Sequence, residues 1–142
     1  MSSYKHLLVA LDLSEESTEV LLKAKTMASL YNAKLSAIHI VEPLAFAYGG
    51  DVPLDMSEAQ KTIEEQATKR LRSLLDSNGL SDTAAYINVG QTSTEIHAQA
   101  KEINSDLIVV GSHGRHGLAL IFGSTANGVL HGAEIDVLAI RV

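Results

Sequence analysis

The sequence predicts an α/β fold of one domain, an open parallel sheet with helices on both faces (Rossmann-like), and three observations carry that expectation. Short apolar runs alternate with longer segments of helical period, in the order βαβαβαβαβ. The apolar runs lack a clean alternation of apolar and polar residues, as strands covered on both faces do. The first four runs each close on an acid, proline or glycine that begins a turn. With 142 residues, the chain reads as a single domain spanning 1–142. A domain of that size buries about 68 to 70% of the surface its unfolded chain would expose, so it can hold a full core.

Residues 6–12 form the first apolar run and end in Asp12. Ser14 suits an N-cap, with Glu15 and Glu16 in the first turn; Val20, Ala24, Met27, Ala28 and Tyr31 then share a helical face that should end near Asn32. Residues 34–41 predict a second strand, stopped by Pro43. Residues 42–56 show neither period and predict a long loop, of a length often used for lids or partner contacts. Ser57 to Gln60 fits a capping box, and Ile63, Ala67, Leu71, Leu74 and Leu75 give the next helix an apolar stripe closed by Asn78-Gly79.

A weaker third strand is expected over 83–89, ending at Gly90. Thr92 to Glu95 is a second capping-box candidate, followed by Ile96, Ala100 and Ile103 on one face. Residues 106–110 predict a fourth strand. A short helix from Ser124 or Thr125, with Val129 and Leu130 inward, and a final strand over 136–142 complete the pattern.

Function is concentrated in the turn after the fourth strand, Gly111-Ser112-His113-Gly114-Arg115-His116-Gly117, and in Gly123-Ser124-Thr125 beyond it. Glycines let the backbone approach a phosphate, and a helix start adds free N–H groups and the positive end of its dipole. Arg115 and the hydroxyls would meet the same anion. A bland reading stands beside this one, in which the glycines only shape a strand-to-helix turn. Two strand orders satisfy the general rules. In the order 3-2-1-4-5, the loops after Asp12 and Val110 meet at the topological switch point, where open α/β sheets bind ligands.

Composition excludes several classes. The net charge of −6, from 11 basic and 17 acidic residues, and the lack of a basic cluster argue against nucleic acid. No apolar stretch reaches the roughly 18 residues of a membrane span, and no signal-peptide pattern opens the chain, so a cytoplasmic protein is expected. Without cysteine there is no disulfide, thiolate metal site or Cys nucleophile. There is no Walker A, and no Gly-x-Gly-x-x-Gly follows the first strand. The acids after that strand disfavour a flavodoxin. A third strand ending Asn88-Val89-Gly90 lacks the aspartate of a response-regulator receiver.

The opening run from Tyr4 to Asp12, the Ile38-His39-Ile40-Val41 strand, the Gly-Ser-His-Gly turn, and Gly-Ser-Thr-Ala-Asn followed by Asp136-Val137-Leu138 resemble the universal stress protein family over essentially the whole chain. The resemblance implies the 3-2-1-4-5 sheet. It points to the branch that binds ATP through Gly-x-x-Gly-x9-Gly-Ser/Thr, with Mg²⁺ held by the phosphates. Here eight residues, not nine, separate Gly114 from Gly123, and Gly117 supplies slack. Ala10 stands where that branch often has proline.

Carried over, the resemblance sets Ala10 and Asp12 beside the adenosine and Ile40 or Val41 as backbone partners of the adenine. Gly111 and Gly114 would approach ribose and phosphates, and Gly123, Ser124 and Thr125 the phosphate tail. Ser112, His113 and Arg115 belong to the same nucleotide-binding turn. The family also implies a homodimer through residues 136–142, whose apolar edge is unblunted by proline.

The function expected is an ATP-binding stress-response sensor or switch. The alternatives are a nucleotide-free protein–protein interaction module, or a slow ATPase or self-phosphorylating protein with Ser124 or Thr125 as acceptors. No dedicated metal site is assigned, because His113 and His116 lack a third ligand, and no catalytic residue is, because the only acid placed in the crevice, Asp12, belongs at the adenosine end. His39 reads as a hydrogen-bonded core residue and His131 as a surface one.

Overall fold

The computed structural model describes residues 3–44, 54–112 and 123–142, with side chains described there except at 54–56 and 123–126. In chain order the elements are β1 (His6–Ala10), α1 (Ser17–Tyr31), β2 (Lys34–Val41), α2 (Leu54–Ser77), β3 (Ala84–Val89), α3 (Thr92–Glu102), β4 (Leu107–Gly111), α4 (Gly123–His131) and β5 (Asp136–Ile140). The five strands form one parallel sheet in the order β3-β2-β1-β4-β5. β1 therefore lies at the centre, with Leu7 opposite Leu35 on one side and Leu107 on the other.

Strand alternation divides the core in two. Leu7, Val9, Leu35, Ala37, Leu107 and Val109 meet α1 and α2 through Val20, Leu21, Ala24, Leu71 and Leu75. Leu8, Ile38, Ile40, Ile108 and Val110 meet α3 and α4 through Ile96, Ala100 and Val129. Helices on both faces explain the continuous apolar runs of β1, β2 and β4, which are buried on both sides, while the edge strands β3 and β5 are half-buried.

Several local expectations need correction. Ser14 does not cap α1; the helix starts at Ser17, and Glu16 in the capping position makes no side-chain bond to the helix's first N–H groups. Ser57 lies inside α2, which begins at Leu54, and Gln60 Oε1 accepts the Leu44 N–H at 2.8 Å instead of serving a capping box. The α3 cap is Gln91, one residue earlier than expected, whose Oε1 accepts from Thr94 N at 2.8 Å. Tyr31, Ile63 and Leu130 are exposed, and the buried faces of α1, α2 and α4 are carried instead by residues such as Leu21, Leu71 and Val129. β5 stops at Ile140, before 141–142. The loop expectation over 45–53 lies outside the described residues.

The amino edge of the sheet is fastened by polar groups. The Asp106 carboxylate accepts the Lys5 N–H at 2.9 Å and the His6 N–H at 3.0 Å, and Ser105 Oγ donates to the His6 carbonyl at 2.9 Å. His6 itself is buried. Its Nδ1 donates to the Ile103 carbonyl at 3.1 Å, and Nε2 accepts from the fully buried Ser36 Oγ at 2.7 Å. That pattern fixes a neutral imidazole. Burial holds its pKa below the ordinary histidine value, an effect partly countered by the Ile103 carbonyl.

The unfolded chain therefore takes the proton more readily. The stability from neutral His6 is complete above about pH 6.5 and is lost as pH falls through the lowered folded value. His6→Asn should flatten the fall in Tm between about pH 7.5 and pH 5, which thermal melts across that range will check.

Candidate functional site

The carboxyl ends of β1, β2 and β4 surround a cleft of about 200 Å³. Because β1 and β4 are neighbours whose following helices lie on opposite faces, no helix among the described residues roofs this point. Ala10 and Asp12 line it from the β1 side, His39 and Ile40 from β2, Val110 and Gly111 from β4, and Thr92 and Ile96 from α3. Two turns about a hundred residues apart in sequence therefore line one cleft.

The β1–α1 turn is shaped around Asp12. Its Oδ1 accepts three hydrogen bonds, from Ser14 N at 2.9 Å, Ser14 Oγ at 2.6 Å and Ser17 Oγ at 3.1 Å. Leu13 adopts a left-handed conformation (φ 61°) that folds the chain back so the carboxylate can reach all three. The helix start is thus organised by Asp12 rather than Ser14. Arg70 of α2 secures the turn from outside by donating Nη2 to the Leu13 carbonyl. No described group bonds Asp12 Oδ2.

Three carboxylates line the cleft, Asp12, Glu16 and Glu42, and no lysine or arginine does among the described residues. Ser14 Oγ lies 2.6 Å from Asp12 and 2.9 Å from Glu16, and a single hydroxyl proton can serve only one of them. Glu42 is held by Thr92 Oγ1 at 3.2 Å. Sequence reasoning missed Ser14, Ser17, Glu16, Glu42, Thr92 and Val142 as lining groups. Their only signal was position at the carboxyl ends of strands and the start of α3. His39 is half-buried at the cleft and donates Nδ1 to the Leu11 carbonyl at 2.7 Å, so it is hydrogen-bonded as expected but at the cleft wall.

Of the residues singled out in sequence, Ala10, Asp12, Ile40 and Gly111 come together around the cleft. Val41 is buried outside its lining, with its carbonyl accepting from Gly90 N at 3.1 Å. Ser112 is buried beside Gly111; its N–H donates to the Ile140 carbonyl at 2.7 Å, while its Oγ has no partner among the described residues. Gly123 opens α4, which also carries Ser124 and Thr125 in its first turn. His113, Gly114 and Arg115 lie outside the described residues. Among the described residues no group of three or more His, Cys, Asp or Glu is placed to hold a metal ion.

The model of the universal stress protein family matches residues 3–141. The chain belongs to this family. Universal stress protein A homolog 2 of Coxiella burnetii is 42% identical over 146 residues, covering 100% of this chain and 98% of the relative. Universal stress protein A of Escherichia coli is 31% identical over 138 residues, covering 97% and 94%. Among solved structures, a universal stress protein in complex with cAMP aligns with a TM-score of 0.64 at 25% identity, over 99% of this chain and 98% of that one. The universal stress protein UspA from Lactobacillus plantarum aligns at 0.78 and 23% identity, over 99% and 100%, a likeness of fold.

Asp12→Ala should lower the stability of this universal stress protein by about 1 kcal/mol or more, because three donors at the start of α1 lose their acceptor. Urea titration of the two proteins, read by circular dichroism, measures the difference.

Proposed function

We propose that the protein binds an adenine nucleotide, ATP with Mg²⁺ held by its phosphates, in the cleft at the ends of β1 and β4. It acts as a cytoplasmic stress-response sensor or switch and as a homodimer, not as an efficient catalyst. The observation that carries this reading is the lining of the cleft, which sets the carboxylates of Asp12, Glu16 and Glu42 in one space with Gly111, next to which Ser112 keeps a buried Oγ without a partner among the described residues.

Asp12 Oδ2 can accept a ribose hydroxyl without giving up the bonds that Oδ1 makes. Ala10 gives the sugar room, and the backbone at Ile40 or Val41 serves the adenine edge. Phosphates are repelled from Asp12, Glu16 and Glu42, which directs them across the cleft to Gly111. There Ser112, His113, Gly114 and Arg115, with Gly123, Ser124 and Thr125 at the start of α4, would supply the phosphate cradle. The residues fit the group: a buried serine hydroxyl without a partner costs about 1–3 kcal/mol, and a ligand oxygen would satisfy it. The cAMP complex of a related universal stress protein agrees with an adenine nucleotide as the ligand class.

β5 lies at one edge of the sheet, with β4 as its single strand neighbour. Pairing of residues 136–142 with a second copy about a two-fold axis would satisfy that open ladder. Analytical ultracentrifugation should give a mass of two chains; a single-chain mass at the concentration where ATP binds would remove the dimer from this proposal.

ATP at about 100 times its Kd should stabilise the native state by about 2.7 kcal/mol and raise Tm; AMP should do so less, and a Gly114→Asp variant not at all. A flat Tm would favour the nucleotide-free interaction module. Ser112→Ala separates the two states by sign. Without ligand its stability should hold or rise, since an unsatisfied hydroxyl is gone, while its ATP-induced shift in Tm should shrink. Differential scanning calorimetry with and without ATP reads both.

A further inference from the structure

The β1–α1 turn has a second face, turned away from the cleft. There a groove of about 720 Å³ runs between the start of α1 and the last turns of α2. We propose that this groove is a second anion site, taking the phosphate group of a small molecule, separate from the cleft and independent of what the cleft binds.

Lys69, Arg70, Ser73 and Ser77 of α2 face Ser17 and Thr18 of α1 across the groove, and no Asp or Glu lines it. The cleft on the other side of the same turn is lined by three carboxylates and no lysine or arginine. On a chain of net charge −6, an acid-free surface with two cations is where an anion is drawn. Glu19 of α1 lies on a different shallow groove, with Leu22 and Met27.

Neither cation is in an ion pair among the described residues. Among the described residues the one ion pair is Arg72 with Asp76, at 3.5 Å. Arg70 spends one N–H on the Leu13 carbonyl and keeps the others of its planar fork, which match two phosphate oxygens. Lys69 adds a point charge, and the hydroxyls of Thr18, Ser73 and Ser77 add donors at the chemistry a phosphate recognises. Ser17 contributes little, because its Oγ is turned to Asp12.

The test is a titration of the ¹⁵N-labelled full chain with pyrophosphate and, in parallel, with a sugar monophosphate, following amide shifts. Both probes should shift Leu13, Thr18, Ser73 and Ser77 saturably, while sodium chloride at matched ionic strength should not. Binding by pyrophosphate alone would restrict the site to free phosphates and overturn the monoester part of the proposal. Lys69→Gln/Arg70→Gln should weaken binding roughly tenfold or more. Ser73→Asp, an exposed helix position, should weaken it similarly with unchanged circular dichroism. Shifts confined to residues 110–112 and 123–125, equal affinity in these variants, or the same shifts with sodium chloride would overturn the site.

Discussion

The pairing of β1 with both β2 and β4 is the constraint on which the molecule depends. A strand with two parallel partners cannot be reached by tight turns, so both connections must cross over as helices. α1 and α2 cover one face and α3 and α4 the other, and between their starting points these helices leave the carboxyl ends of β1 and β4 uncovered. The cleft follows from that winding. The same pairing is fixed at the opposite edge by Asp106, which takes the amides of both Lys5 and His6, so the ends of β1 are set by different forces. One end is closed by hydrogen bonds and the other is open.

The division of charge about the β1–α1 turn is a local consequence of that geometry. Asp12 turns into the cleft and gathers the hydroxyls of Ser14 and Ser17, while the Leu13 carbonyl points outward to Arg70. A backbone reversal at one left-handed residue thus presents acceptors on both of its faces, one charged and one neutral. The turn is held by its own side chains on one side and by a cation from α2 on the other, which makes it a stiff partition between two solvent-filled spaces.

Much of the architecture was legible in the sequence because long-range forces and local patterning agree. Apolar runs at β1, β2 and β4, the Asn32 and Gly79 stops, and the convergence of Asp12 with Gly111 all follow from burial, left-handed caps and the switch-point rule. The helix starts were less legible. Ser14, Ser57 and Thr92 each resemble a cap, yet Asp12, Gln60 and Gln91 carry the side-chain contacts, because tertiary partners such as Leu44 N and Glu42 redirect the nearer groups. Periodicity alone points Leu130 and Ile63 inward, yet both are exposed, and at Leu130 it is the neighbouring Val129 that is fully buried. The cleft's second tier, with Glu16, Glu42 and Thr92, was not legible because polar residues in turns have no periodicity to report them.

The central position of β1 also bears on how the chain is made. Its partner β2 follows after one helix, but the Asp106 carboxylate that secures Lys5 and His6 lies about a hundred residues later. During synthesis from the amino end, the first strand to emerge is one of the last to be completed on both sides. Leu7 and Leu8 remain without their β4 neighbours until most of the polypeptide has left the ribosome. A nascent chain of this topology carries an open apolar strand for most of its elongation, and its dependence on protective chaperone contact should be greatest just before β4 emerges.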